Sequence, residues 1–328
     1  MLSAEDSAVV DIAKFDDAFN IINNWRASHS FPLNTFKIGL LDRTSKVDPK
    51  GLVAQRIKRL SSIRLKLERF RGMKLSRMQD IAGCRSIVST VSHVDQIVSL
   101  YKKKKGIKHE LHREDDYIRK PKTSGYRGFH LVYRYYSDRQ STYNGLSVEI
   151  QVRSQLQHTW ATAVETVGTF VQQALKSSRG ENEWLRFFAL MGTAIAMRER
   201  TTLVPDTPSS KSKLRGELKH YVKTLDVENR LSAFGTALQI TSRPGRKRAR
   251  YFVVDLNFAS KQLSIRGYNS DELTDASDDY ARTERKISGL DRDAVLVSVE
   301  SLASLRRAYP NYYLDTHSFI QLVKEITR

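Results

Sequence analysis

Residues 148–153 alternate strictly between apolar and polar side chains, and this alternation constrains the fold more than any other stretch. Successive side chains on a β-strand point to opposite faces. Val148, Ile150 and Val152 therefore share one face, and Glu149, Gln151 and Arg153 share the other. The first face needs a core to cover it. The second carries an acid, an amide and a cation in line, which is either a half-exposed strand with arbitrary polar residues or the wall of a site. A helix-period stretch over 155–170 follows immediately, so a strand runs straight into a helix.

The same pairing of elements recurs around it. The spacing of Val9, Ile12, Phe15, Phe19 and Ile22 predicts a helix over 5–30, broken at Phe31 and Pro32. Val53, Ile57, Leu60, Ile63 and Leu67 form the apolar stripe of a second, strongly basic helix over 51–71. Strands are expected over 84–91, 128–136 and 146–153, and helices over 93–104 and 184–197. Strands interleaved with helices predict a mixed α/β (α+β) fold: a core over residues 1–200 with a mixed sheet and flanking helices. The stretch 201–212 is rich in Pro and Ser and reads as a linker. Beyond it, residues 213–328 read as a small α+β domain. Its expected parts are a helix over 213–230, a hairpin from 251–256 and 262–266, an acidic loop over 271–279, a strand over 294–299, and helices over 301–308 and 318–326.

Charge narrows the partner. The chain of 328 residues carries a net +19, and 51–134 alone hold 21 Lys and Arg against 7 Asp and Glu. An anionic partner follows, a nucleotide or a nucleic acid, unless the cations merely solvate a surface. No helix pairs this charge with a strong apolar face, and no apolar run has the length of a membrane span, so no membrane role is expected. The single Cys84 excludes an internal disulfide and fits a reducing, cytoplasmic setting.

The chemistry-bearing residues cluster in the same region. Asp80 precedes Ile81, Ala82 and Gly83, where the chain turns into a strand. It is either a backbone cap or a magnesium ligand, since Mg²⁺ takes one or two carboxylates plus substrate phosphates. Asp80 and Glu149 at adjacent strand ends would supply such a pair. His130 follows the turn of Gly125, Tyr126 and Arg127, within reach of a ligand there, whereas His158 fits a packing role on its helix. With no Cys/His cluster, no Walker loop and no Gly-x-Gly-x-x-Gly fingerprint, a zinc site and the common nucleotide folds are not indicated.

Six linked motifs resemble the RelA/SpoT-type synthetase domain in order and spacing across roughly residues 50–170. They are Arg56-x-Lys58 with Ser62, Ile63 and Lys66; Gln79 to Arg85; Asp116 to Lys122; Gly125-Tyr126-Arg127-x-x-His130; Glu149-x-Gln151-x-Arg153; and His158-x-Trp160-Ala161. The resemblance implies a nucleotidyltransferase-like fold that moves the β,γ-pyrophosphate of ATP onto a 3′-hydroxyl. It implies that Arg56, Lys58, Ser62, Lys66, Arg85 and Lys122 hold ATP. It makes Asp80 and Glu149 the Mg²⁺ ligands, with Glu149 also taking the hydroxyl proton. It places Tyr126, His130, Gln151 and Arg153 on the acceptor side. Gly128 stands where the family usually has Ser, and Asp115 where a basic residue is common; both bear on the acceptor. The flanks, including Tyr309-Pro-Asn-Tyr312, resemble the toxic branch of the family, the CapRel-type fused toxin–antitoxin proteins of phage defence. That likeness implies the 3′-CCA end of tRNA as acceptor, restraint by the C-terminal domain through Tyr309 and Tyr312, and release by a phage capsid protein. GDP or GTP as acceptor, giving an alarmone synthetase, fits the core motifs equally well.

Overall fold

The alternating stretch is the middle strand of a five-stranded sheet. In the computed structural model, residues 17–58, 60–103, 108–174, 181–241, 249–257, 262–287, 292–298 and 312–328 are described. The chain divides by packing into two units. The first comprises Met1–Asp116 and Gly128–Ser154; the second comprises Tyr117–Arg127 and Gln155–Arg328.

The first unit is built on the strands β1 (Leu52–Ile57), β2 (Ala82–Val88), β3 (Glu110–Asp116), β4 (Phe129–Arg134) and β5 (Ser147–Ser154). Their spatial order is β1-β2-β5-β4-β3. Only β2 and β5 run parallel; the other neighbours are antiparallel, so the sheet is mixed. Val148, Ile150 and Val152 are fully buried, as the alternation requires. Helices α1 (residues 17–28), α2 (Ser30–Val47), α3 (Leu60–Arg69) and α4 (Val91–Lys102) complete the unit. Thr90 caps α4, its hydroxyl accepting from the His93 N–H at 3.2 Å, which ends the preceding strand at Val88 rather than at Val91.

Two local expectations are corrected here, and one strand goes unmarked in the sequence. The basic helix expected over 51–71 is two elements: 52–57 is strand β1, and only 60–69 is helical. Val53 and Ile57 fit a helical or a strand period in so short a run, and antiparallel pairing with β2 decides for the strand. Pro32 does not end a helix; it lies in the first turn of α2, where its missing N–H costs nothing. The charged stretch 110–116 forms β3, an edge strand whose exposed charges protect an open sheet edge.

The second unit packs α5 (Gln155–Ala174), α6 (Glu181–Glu199), α7 (Lys211–Thr224), α8 (Val227–Thr241) and the C-terminal α10 (Tyr312–Thr327) with an antiparallel sheet. That sheet has the order β7 (Gln262–Tyr268), β6 (Tyr251–Asn257), β8 (Arg292–Ser298), and it includes the expected hairpin. The acidic loop expected over 271–279 is the front of helix α9 (Leu273–Ile287). Its acids gather near the N-terminus and Arg285 and Lys286 in the last turn, which complements the helix dipole. One apolar cluster joins Trp160, Phe187 and Phe188 to Leu218, Phe234 and Phe319. Division by packing falls at Ser154/Gln155, because α5 and α6 share a core with the C-terminal helices. No helix among the described residues is long and apolar enough to cross a membrane.

Candidate active site

Strand register places the polar side chains of the first unit in two rows. Arg56 on β1 lies opposite Gly83 on β2, which lies opposite Glu149 on β5. One rung along, Arg85, Gln151 and His130 are paired across β2, β5 and β4, with Asp115 beyond them on β3. Directly paired residues share a face, so Arg56, Arg85, Glu149, Gln151 and His130 lie on one face of the sheet.

Glu149 is the hub of that surface. His130 Nδ1 lies 2.8 Å from its Oε1, and Gln151 Nε2 donates to its Oε2 at 2.7 Å. The Gln151 Oε1 accepts from Arg85 Nε at 3.3 Å and Arg153 Nη2 at 3.1 Å. Only one orientation of the amide satisfies all three contacts, since its NH₂ must face the carboxylate and its oxygen the guanidinium groups. Burial pushes the Glu149 carboxyl up. The His130 contact, the Gln151 donor and the Arg56 charge outweigh burial and hold it at about 2. Glu149 is thus an anion at any physiological pH.

A second carboxylate is bridged by two lysines. Asp80 Oδ2 accepts from Lys58 Nζ at 2.8 Å and Oδ1 from Lys66 Nζ at 2.9 Å. Burial raises the Asp80 carboxyl, but the two ammonium groups together hold it below its ordinary value. Lys58 is itself fixed through its backbone, whose carbonyl accepts from Arg26 Nε at 2.9 Å and whose N–H donates to Ile81 O at 2.7 Å. Arg26 lies outside the six motifs, so the sequence does not mark it as a site residue. Ser62 lies half-buried in the first turn of α3. Cys84 is buried, and burial pushes its thiol up, so it is no nucleophile.

Lys122 and Tyr126 belong to the second unit. The Lys122 ammonium lies 4.3 Å from the Tyr117 ring centre and 5.4 Å from that of Tyr126. His158 is buried on α5, in keeping with packing. Tyr312 opens α10, and Tyr309 lies outside the described residues.

The carboxylates suit a hard cation held mainly by substrate. Among the described residues no group of three or more His, Cys, Asp or Glu is placed to hold a metal. Two oxygen-donor side chains, Asp80 and Glu149, fit Mg²⁺, which commonly takes one or two carboxylates and completes its shell with phosphates and water.

Comparison with known proteins identifies the region that carries these groups. Residues 55–169 match the family model described as the region found in RelA / SpoT proteins. This stretch is therefore similar to the RelA/SpoT region. Over 168 residues the chain is 24% identical to the GTP pyrophosphokinase YwaC of Bacillus subtilis (strain 168), covering 47% of this chain and 79% of that protein. The GTP pyrophosphokinase YjbM of the same organism is 34% identical over 119 residues, covering 35% of this chain and 54% of YjbM. Among solved structures, the small alarmone synthetase 1 of Bacillus subtilis bound to its product pppGpp aligns with a TM-score of 0.46 at 24% identity, over 54% of this chain and 92% of that one. All six motifs quoted above begin within or beside the RelA/SpoT-type stretch, and Arg56, Asp80, Arg85, His130 and Glu149 all fall inside it.

Proposed function

We propose that the RelA/SpoT-type domain is an ATP-dependent pyrophosphokinase. The observation that carries this reading is a pair of half-buried carboxylates set among cations: Glu149 held ionised by His130, Gln151 and Arg56, and Asp80 bridged by Lys58 and Lys66. Transfer of a polyphosphate is governed by positioning and charge neutralisation, which such an arrangement supplies. The 3′-hydroxyl oxygen bonds to the β-phosphorus of ATP, the bond from that phosphorus to the α,β-bridging oxygen breaks, and AMP leaves. Arg56, Lys58, Lys66, Arg85 and Lys122 neutralise the phosphates. Mg²⁺, held by Asp80 and Glu149, adds Lewis-acid neutralisation when bound. Glu149 orients the hydroxyl and receives its proton. A carboxylate with a pKa of about 2 is a weak base, so the proton moves only as the new oxygen–phosphorus bond makes the hydroxyl acidic.

The acceptor we favour is the 3′ end of tRNA, on the net excess of basic residues over 51–134. The second reading is a guanosine nucleotide, favoured by the relatives named GTP pyrophosphokinase. A regulatory role of residues 213–328 through Tyr309 and Tyr312, with a phage protein as trigger, is supported by motif resemblance. Incubation with γ-labelled ATP and either tRNA or GDP/GTP tests the reading. Label in RNA supports the first acceptor and label in guanosine product the second. No transfer to any acceptor would favour a non-catalytic nucleic-acid-binding module or a locked state.

A further inference from the structure

The segment Tyr117–Arg127 leaves the sheet between β3 and β4, yet it packs with the second unit. Three contacts fix it there. The buried Arg127 donates to Thr202 O at 2.7 Å, Thr201 Oγ1 at 2.6 Å and Ile118 O at 2.8 Å. Gly125, at φ +90°, lies so close to α6 that a Cβ on it would meet Phe188 O at 2.6 Å. Conversely, a Cβ on Gly192 of α6 would meet Gly125 O at 2.7 Å and its Cα at 2.8 Å.

The third contact is a file of aromatic rings. Phe319 of α10 lies 6.0 Å from Phe188 of α6, and Phe188 lies 5.9 Å from Trp160 of α5. Trp160 lies 6.3 Å from Tyr126 in an edge-on arrangement, and its indole N–H donates to Phe188 O at 2.9 Å. Rings in tilted or edge-on contact resist independent rotation in a close-packed interior. The file therefore runs from the C-terminal helix to the one segment ring, Tyr126, that is assigned to the acceptor.

We propose that Phe319 and Trp160 are positioning residues for Tyr126, so that the seating of the C-terminal helix sets how well the acceptor base is held. This rests on the reading of Tyr126 as the acceptor platform. ATP is less exposed to the effect: of its five proposed phosphate cations, Arg56, Lys58, Lys66 and Arg85 lie in the other unit and only Lys122 rides on the segment.

The test uses the full chain with Phe319→Leu, which keeps an apolar side chain and removes the ring. A second variant, Gly192→Ala, favours α6 by helix propensity while pressing on the Gly125 backbone. Hydrogen exchange at 118–127 is read beside the Michaelis constants for acceptor and ATP. We expect faster exchange in the segment, unchanged exchange in β5, an acceptor KM raised about fivefold by the loss of one aromatic contact, and an ATP KM within about twofold. If Phe319→Leu fails to fold, Gly192→Ala alone decides. Unchanged segment exchange in a folded variant overturns the coupling. A fall in kcat with both KM values unchanged overturns the positioning role. Faster exchange in a protein that transfers to no acceptor upholds the coupling and favours the non-catalytic module or the locked state.

Discussion

Gln151→Glu tests the site most directly, because it changes one atom type in the contact that holds Glu149. The amide NH₂ that donates at 2.7 Å becomes a carboxylate oxygen. Two unit charges about 3 Å apart at an effective dielectric of about 20 repel by about 5 kcal/mol, equivalent to about four pK units. Arg85 and Arg153, already on the far oxygen of residue 151, offset roughly half of this. Starting from about 2, and with one hydrogen-bond donor lost, the carboxylate pair should share a proton with an apparent pKa of about 5. The assay is the dependence of kcat/KM on pH from 4.5 to 9. The wild-type protein should show no carboxylate limb in that range. The variant should gain an acid limb centred at about 5 and return to within about tenfold of wild type at pH 8. A variant profile that parallels wild type would show that the Gln151 amide does not face Glu149 in solution, and the electrostatic account of the site would fall with it.

Other outcomes follow from the same contacts. Glu149→Gln should lower kcat by about 10²- to 10⁴-fold with little change in ATP binding, and near-normal turnover in a radiolabel assay would take Glu149 out of the reaction. Asp80→Asn should abolish Mg²⁺-dependent transfer but leave metal-free ATP binding intact or stronger, since Lys58 and Lys66 lose their counter-ion; calorimetry with and without Mg²⁺ decides. The depressed Glu149 carboxyl stabilises the fold above its ordinary pKa, and this contribution of about 3 kcal/mol is lost as pH falls from about 4.5 through about 2. Denaturant melts at pH 6 and pH 3 should show a smaller loss in Glu149→Gln than in wild type, and equal losses would contradict the assignment.

What the sequence disclosed depended on whether a residue's role is local. Strand β5 was legible because its alternation is strict and a helix follows it directly. Strand β3 was not, because an exposed edge strand of Glu, His, Arg and Asp carries no apolar period. Val53 and Ile57 misled because four-residue spacing ignores the partner strand that fixes them. The site divides the same way. Asp80 and Glu149 stood out by residue type and motif, but their partners depend on tertiary register. His130 reaches Glu149 only because β4 pairs with β5 so that His130 faces Gln151, a neighbour of Glu149 on the same face. Arg127 counts towards the basic excess over 51–134, yet it is buried and donates to Thr202 O, Thr201 Oγ1 and Ile118 O. That part of the basic excess is internal wiring rather than surface for an anion.

The shared core of the second unit changes how the proposed restraint by residues 213–328 can be examined. Cutting the chain after residue 212 would uncover Trp160, Phe187 and Phe188, which pack against Leu218, Phe234 and Phe319. Each large core side chain stripped of its neighbours costs about 2–5 kcal/mol, comparable with the whole stability of a domain, so the truncated chain should lose α5 and α6 packing. Loss of activity in such a truncation would report unfolding, not the absence of regulation. Near-ultraviolet circular dichroism of the 1–212 fragment checks this: a native-like aromatic signal would show that the core survives without α7 to α10, contrary to the packing. Restraint is better probed by Tyr309→Phe with Tyr312→Phe in the full chain, which keeps both rings and α7 to α10. Transfer activity that rises in the double variant, at an unchanged melting temperature, would support restraint through these hydroxyl groups; unchanged activity would assign the two tyrosines no regulatory part.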